Sequence, residues 1–182
     1  MGFFAVLNGI SPIYEETTLR EIGGGTSAWQ VLLKTGIPGI KEGNVTEMGC
    51  AGVTVIVSMD RHYCLGNVGQ IIYHIMANFF MSKWVIVVED DIDIFNTGEA
   101  NWALATRVQF HRDISITDSR FVGVALAPSI APELSRIPRT QTSEIGIDAT
   151  KFCKGHDFPP LVPNSEERLK LMTRRWLEYG FK

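Results

Sequence analysis

Two apolar, β-branched runs, AGVTVIVSM over Ala51 to Met59 and WVIVV over Trp84 to Val88, are separated by a segment whose apolar residues recur at helical spacing. Neither run alternates with polar residues, so each reads as a strand covered on both faces. Between them Val68, Ile71, Ile72, Ile75, Met76, Phe79 and Phe80 mark one wide face of a helix over Asn67 to Phe80. Strand, helix and strand in that order form a right-handed crossover, which places the two strands parallel in one sheet. The expected fold class is therefore α/β: a layered domain with a mostly parallel or mixed sheet flanked by helices. A chain of 182 residues, 45% of them hydrophobic, is enough for one such core and cramped for two.

Around this unit the remaining elements fall into place. Phe3 to Leu7 is a candidate short strand in a poorly defined lead-in, residues 1 to 25. The run EIGGGT reads as a flexible connection to a helix capped at Thr26 or Ser27, because no Lys follows the last glycine as a phosphate-binding loop requires. A short amphipathic helix is expected over Ser27 to Gly36, carrying Trp29, Leu32 and Leu33, closed by a left-handed glycine and barred from continuing by Pro38. Glu99 to Arg107 reads as a helix with Trp102 and Ala105 inward. Asp113 to Asp118 alternates Ile114 and Ile116 with polar residues, as a half-buried strand does. Gly123, Pro128, Pro132 and Pro138 mark Ser119 to Gln141 as a long loop, and Glu144 to Thr150 is a further short strand. The domain is expected to end near residue 157. FPPLVP then opens an extended arm, residues 158 to 182, with a C-terminal helix starting at Asn164 or Ser165 and an apolar stripe of Leu169, Met172 and Trp176.

Composition excludes several function classes. A net charge of -3 with no basic stripe argues against nucleic acid. No run reaches the roughly 18 apolar residues of a membrane span, and no secretory leader is evident, so a cytoplasmic location is expected. Cys50, Cys64 and Cys153 form no CxxC pair and read as reduced thiols. His62, His74, His111 and His156 show no metal-ligand spacing. His74 falls within a helix, where a packed histidine is the plainer reading, and a Cys64 nucleophile with His62 as base lacks an orienting third group.

The second strand runs straight into four carboxylates, Glu89, Asp90, Asp91 and Asp93. Such a strand end faces the crevice where α/β proteins bind ligands. One reading is a divalent metal held by Glu89, Asp90 and Asp91, as in a small metal-dependent glycosyl- or phosphoryl-transferring domain. The other has the acids capping backbone amides in a tight loop and pairing with Arg107 or Arg112. Asp91 and Asp93, two apart, share a face in extended chain while Asp90 points away.

VIVVEDDIDIFN (Val85 to Asn96), the helix WALATR (Trp102 to Arg107), Arg112-Asp113 and GIDAT (Gly146 to Thr150) together resemble the C-terminal domain of the UbiD family of decarboxylases. The resemblance covers roughly residues 26 to 150. It departs at Gly66-Asn67-Val68, where family members commonly have Gly-His-Ala. It implies a reversible decarboxylase of aromatic or α,β-unsaturated acids that uses prenylated FMN with Mn²⁺ or Mg²⁺ and K⁺. It also implies that the family's Glu-Arg-Glu catalytic set and its flavin and metal ligands lie in an upstream domain with no counterpart in this chain, which is then a fragment, a separate subunit or a reduced homologue. No catalytic residue and no cofactor ligand is expected here. The flavin-binding UbiD N-terminal portion and further copies of the chain are the implied partners, and the acidic strand end becomes a structural hallmark. By order along the chain, Phe80, Met81, Phe121, Val124 and Leu126 are the expected wall of the substrate pocket.

Overall fold

The structure, a computed structural model, describes residues 15–46, 53–60, 66–79, 82–122, 140–151, 158–159 and 165–180, with backbone alone for 15–21, 119–122 and 140–142. The chain divides into two compact units, Met1–Lys151 and Phe152–Lys182. The first unit contains helix α1 (Glu15–Leu33), strands β1 (Ile40–Val45) and β2 (Thr54–Met59), helix α2 (Asn67–Asn78), strand β3 (Trp84–Glu89) and helix α3 (Thr97–Arg107). A single helical turn α4 (Phe110–Asp113) and strands β4 (Ile114–Val122) and β5 (Thr140–Asp148) complete it. The second unit holds helix α5 (Glu166–Arg174) and a 3₁₀ turn, Trp176–Tyr179.

One five-stranded sheet runs in the order β1-β2-β3-β5-β4. β2, β3 and β5 are parallel, while β1 and β4 close the two edges as antiparallel neighbours, so the sheet is mixed. The β-branched run of β2 is buried at every position, as its lack of alternation predicts. Side chains alternate between two apolar layers. Val55, Val57, Met59, Val85 and Val87 meet α1 through Ala28 and Leu32, and α2 through Val68, Ile71, Ile72, Ile75 and Met76. Ile56, Ile86, Val88 and Ile147 meet Ile92, Ile94, Ala100, Ala103 and Val108 on the other side. Gly146 faces α2, where a side chain would collide with Ile72.

Five expectations need correction. The glycine run Gly23–Gly25 lies inside α1 rather than in a connection before it. Each glycine costs a helix about 1 kcal/mol relative to alanine. The buried anchors Ala28 and Leu32, and the fit of Gly24 against Val45, override that local penalty. The expected left-handed glycine is where it should be, Gly36 at φ 66. Helix α3 turns Ala100, Ala103 and Arg107 inward, leaving Trp102 38% exposed and Ala105 exposed. Small residues form its buried face because they let it lie close to the sheet, and that face carries little hydrophobic signal. Ile116, on edge strand β4, is 69% exposed. Finally, residues 119–122 and 140–141 belong to paired strands, which lengthens β4 and β5 and leaves Pro128, Pro132 and Pro138 between them. Helix α2 stops at Asn78, two residues short of Phe80. The Phe3–Leu7 strand lies outside the described residues.

In the second unit Ser165 caps α5, its hydroxyl oxygen accepting from the Arg168 amide, with Glu166 and Glu167 in the first turn. Leu169, Met172 and Trp176 are each about half exposed. Among the described residues no helix is long and apolar enough to cross a membrane.

Candidate functional site

Beyond Glu89 the chain leaves the sheet in a tight loop that buries Ile92 and Ile94 and so turns Asp91 and Asp93 outward. The Asp91 carboxylate accepts two hydrogen bonds from Arg107, at 3.1 Å from Nη1 and 2.8 Å from Nη2. Arg107 lies in the last turn of α3 with its side chain wholly buried and its guanidinium 5.2 Å from the centre of the Trp102 ring. Lys151, just past β5, brings its ammonium 2.7 Å from Asp91 Oδ2 and 3.6 Å from Glu89 Oε2. One carboxylate thus joins the ends of β3, α3 and β5.

Asp93 and Glu99 are consumed in capping. The Asp93 carboxylate accepts from the Phe95 amide, and the Glu99 carboxylate accepts from the Asp93 amide, each at 2.9 Å. Asn96 accepts from the amides of Gly98 and Glu99 and donates to Glu99 Oε1, a reciprocal cap for α3. At the end of β5 Asp148 Oδ1 accepts from the Thr150 amide and hydroxyl, and the Ala149 amide extends the ladder to Val87. Arg112 pairs with its neighbour Asp113 through Nη2 and Oδ2 at 2.8 Å.

The electrostatics follow from these partners. Burial pushes the Asp91 carboxyl upward, but the hydrogen bonds and charges of Arg107 and Lys151 outweigh it and hold the group below the ordinary carboxylate range. Burial likewise raises Asp113, and the Arg112 bond, the Gln109 amide and the nearby cations more than reverse it. The Asp113 bond raises Arg112. A carboxyl whose value drops on folding stabilises the fold above its unfolded value, and the contribution fades as pH falls through the folded value. Urea unfolding from pH 7 to pH 2.5 should therefore show the stability gap between the native chain and Asp91→Asn shrinking below about pH 4. A gap independent of pH would contradict this assignment.

Of the two readings of the acidic strand end, the observed contacts are those of capping and pairing, with Arg107 and not Arg112 as the arginine. A metal held by Glu89, Asp90 and Asp91 would have to displace Arg107 and Lys151 from Asp91. Among the described residues no group of three or more His, Cys, Asp or Glu side chains is placed to hold a metal ion. Asp90 is exposed, and Glu89 is 9% exposed.

Phe80, Met81, Val124 and Leu126 lie outside the described residues, and Phe121 is placed by backbone alone, opposite Gln141. His62, His156 and all three cysteines are likewise outside them. His74 sits on α2 and His111 in the turn α4. The sequence reading missed Lys151, which carries no motif signal. It also missed the cap at Asn96, although Glu99 three residues on has the spacing of a capping pair. A buried acid, Glu144 at 1% exposure, lies in the middle of β5, its Oε1 3.1 Å from the Ser82 hydroxyl.

Comparison with known proteins bears on this arrangement. Residues 20–149 match the model of the 3-octaprenyl-4-hydroxybenzoate carboxy-lyase C-terminal domain. An anhydromevalonate phosphate decarboxylase of Methanocaldococcus jannaschii is 34% identical over 122 residues, 66% of this chain and 27% of that protein. Among solved structures, the UbiD-class enzyme HmfF from Pelotomaculum thermopropionicum, in complex with FMN, superposes at a TM-score of 0.68 with 26% identity. That alignment covers 84% of this chain and 32% of HmfF. Vanillic acid decarboxylase of Sedimentibacter hydroxybenzoicus, in its open form, gives 0.66 with 25% identity, over 92% of this chain and 36% of that one. The chain thus spans between 27% and 36% of the length of these three proteins. With the match running through the β2-α2-β3 crossover, the Asp91–Arg107 pair and the strand that ends at Asp148, the chain belongs to the UbiD C-terminal domain family.

Proposed function

We propose that this chain is the carboxy-terminal portion, as a fragment or as a separate subunit, of a UbiD-like enzyme that reversibly decarboxylates aromatic or α,β-unsaturated carboxylic acids. The observation that carries the reading is the family match over residues 20–149, in a chain spanning about a quarter of the curated relative's length. The flavin-binding UbiD portion is its partner, further copies of the chain complete an oligomer, and the enzyme acts in the cytoplasm. Phe80, Met81, Phe121, Val124 and Leu126 supply apolar wall for the unsaturated part of the acid.

Prenylated FMN, with its divalent metal and K⁺, supplies the electron sink for loss of the carboxyl group and belongs to the partner portion. Neither the glycine run nor the acidic strand end of this chain fits it. A flavin phosphate wants a cradle of unsatisfied amides, whereas Gly23–Gly25 sit in the middle of a helix, where amides bond back to carbonyls four residues earlier. The metal wants uncommitted carboxylate oxygens, and both of those on Asp91 already face cations. No step of the reaction is therefore assigned to side chains described here.

The test is reconstitution. The chain alone and the chain mixed with a flavin-binding UbiD portion are each given prenylated FMN, Mn²⁺, K⁺ and an unsaturated acid, and released CO₂ is measured. Release from the mixture alone is expected. CO₂ from the isolated chain would overturn the assignment of the catalytic groups to the partner.

A further inference from the structure

We propose that Gly23–Gly25 forms a hinge inside α1, at which the amino-terminal part of the helix pivots against the α/β unit. Packing accounts for only one of the three glycines. A Cβ on Gly24 would sit 3.4 Å from a methyl of Val45, so that position is snug. Among the described residues a Cβ on Gly23 would meet nothing within 4 Å, and one on Gly25 only Val45 N at 3.9 Å and Asn44 Oδ1 at 4.0 Å. Neither has the left-handed backbone that demands glycine. At Gly23 and Gly25 alanine would fit the space and the conformation and favour the helix about fivefold per position. Two residues there lower local helix stability with no steric reason among the described residues.

A second observation points the same way. The Thr26 hydroxyl donates to the Ile22 carbonyl and the Ser27 hydroxyl to the Gly23 carbonyl, both at 2.9 Å. These bonds compete for the carbonyls that hold the helical turn, and such side-chain bonds bend helices. Three residues without side chains and two competing donors thus occupy five consecutive positions, Gly23 to Ser27. Ala28 and Leu32, on the carboxy-terminal side of the run, are 0% and 1% exposed and pack into the apolar layer of the sheet. The helix is clamped after the run and weakest within it, which is the construction of a pivot.

Amide hydrogen exchange on the whole chain tests this. Amides of residues 22–27 should exchange at least tenfold faster than those of 29–33. Replacing Gly23→Ala and Gly25→Ala together should slow 22–27 by about twenty-fivefold while leaving the β3 amides unchanged. Thr18→Ala, which raises helix propensity outside the run, should leave 22–27 unaltered. If Thr18→Ala slows them as much as the glycine replacements do, the opening is fraying from the helix end and the hinge is wrong. Equal rates for 22–27 and 29–33 in the native chain would also overturn it, and that comparison needs no variant to fold.

Discussion

Asp91→Ala should lower the unfolding free energy by about 3 kcal/mol, near the bottom of the range for breaking a buried ion pair. The cost falls on the partner. Arg107 is wholly buried, and removal of the carboxylate takes a bidentate partner from a charge held inside the fold beside the Trp102 ring. Asp91 itself is 31% exposed, which softens the loss. Lys151, 34% exposed, can turn to Glu89 or to water. Arg107→Met should cost less, about 1 kcal/mol, because it removes the buried charge together with its desolvation and leaves Asp91 with Lys151. Urea unfolding of the two single variants and the double variant measures both effects and their coupling. The asymmetry is the point at issue: an Asp91→Ala loss smaller than that of Arg107→Met would mean that the arginine charge is solvated after all.

Gly146→Ala should cost a similar amount, about 3 kcal/mol, for a steric reason. Its Cβ would lie 2.2 Å from Ile72 Cγ2 and 3.3 Å from Ile72 Cδ1 and Met76 Cε. Ile72 and Met76 are 2% and 3% exposed and packed among other core side chains, so neither has room to withdraw. Either α2 lifts from the sheet or β5 slips from β3. Ile72→Ala, which removes both offending carbons, should restore part of the loss, giving a favourable coupling of about 1–2 kcal/mol in the double variant. Additive losses would show that the glycine is required for its backbone and not for the approach of α2.

The sequence made the central crossover legible because burial on both faces of β2 and β3 demands uninterrupted β-branched runs, and α2 needs a wide apolar stripe. Signals failed where the buried surface is made of small residues. Ala100 and Ala103 let α3 lie close to the sheet, and the eye goes instead to Trp102, which covers a cation. The glycine run misled for a related reason: local propensity describes an isolated segment, and the anchors at Ala28 and Leu32 act through contacts with other elements. At the acidic strand end residue types permitted both metal binding and pairing. Only the placement of Arg107 and Lys151 across the ends of three elements distinguished them, and Lys151 follows its strand without any motif.

The order of the strands bears on how the chain reaches its native state. β3 pairs with β5, so β4, although made first, ends up outside it at the sheet edge. During synthesis the strand Trp84–Glu89 therefore presents an open backbone edge, and the lower part of α2 an uncovered apolar face, until the ribosome has delivered Ile145 and Gly146. A nascent chain arrested before residue 140 lacks the strand that closes that edge among the described residues, which makes this an interval in which chaperone protection matters.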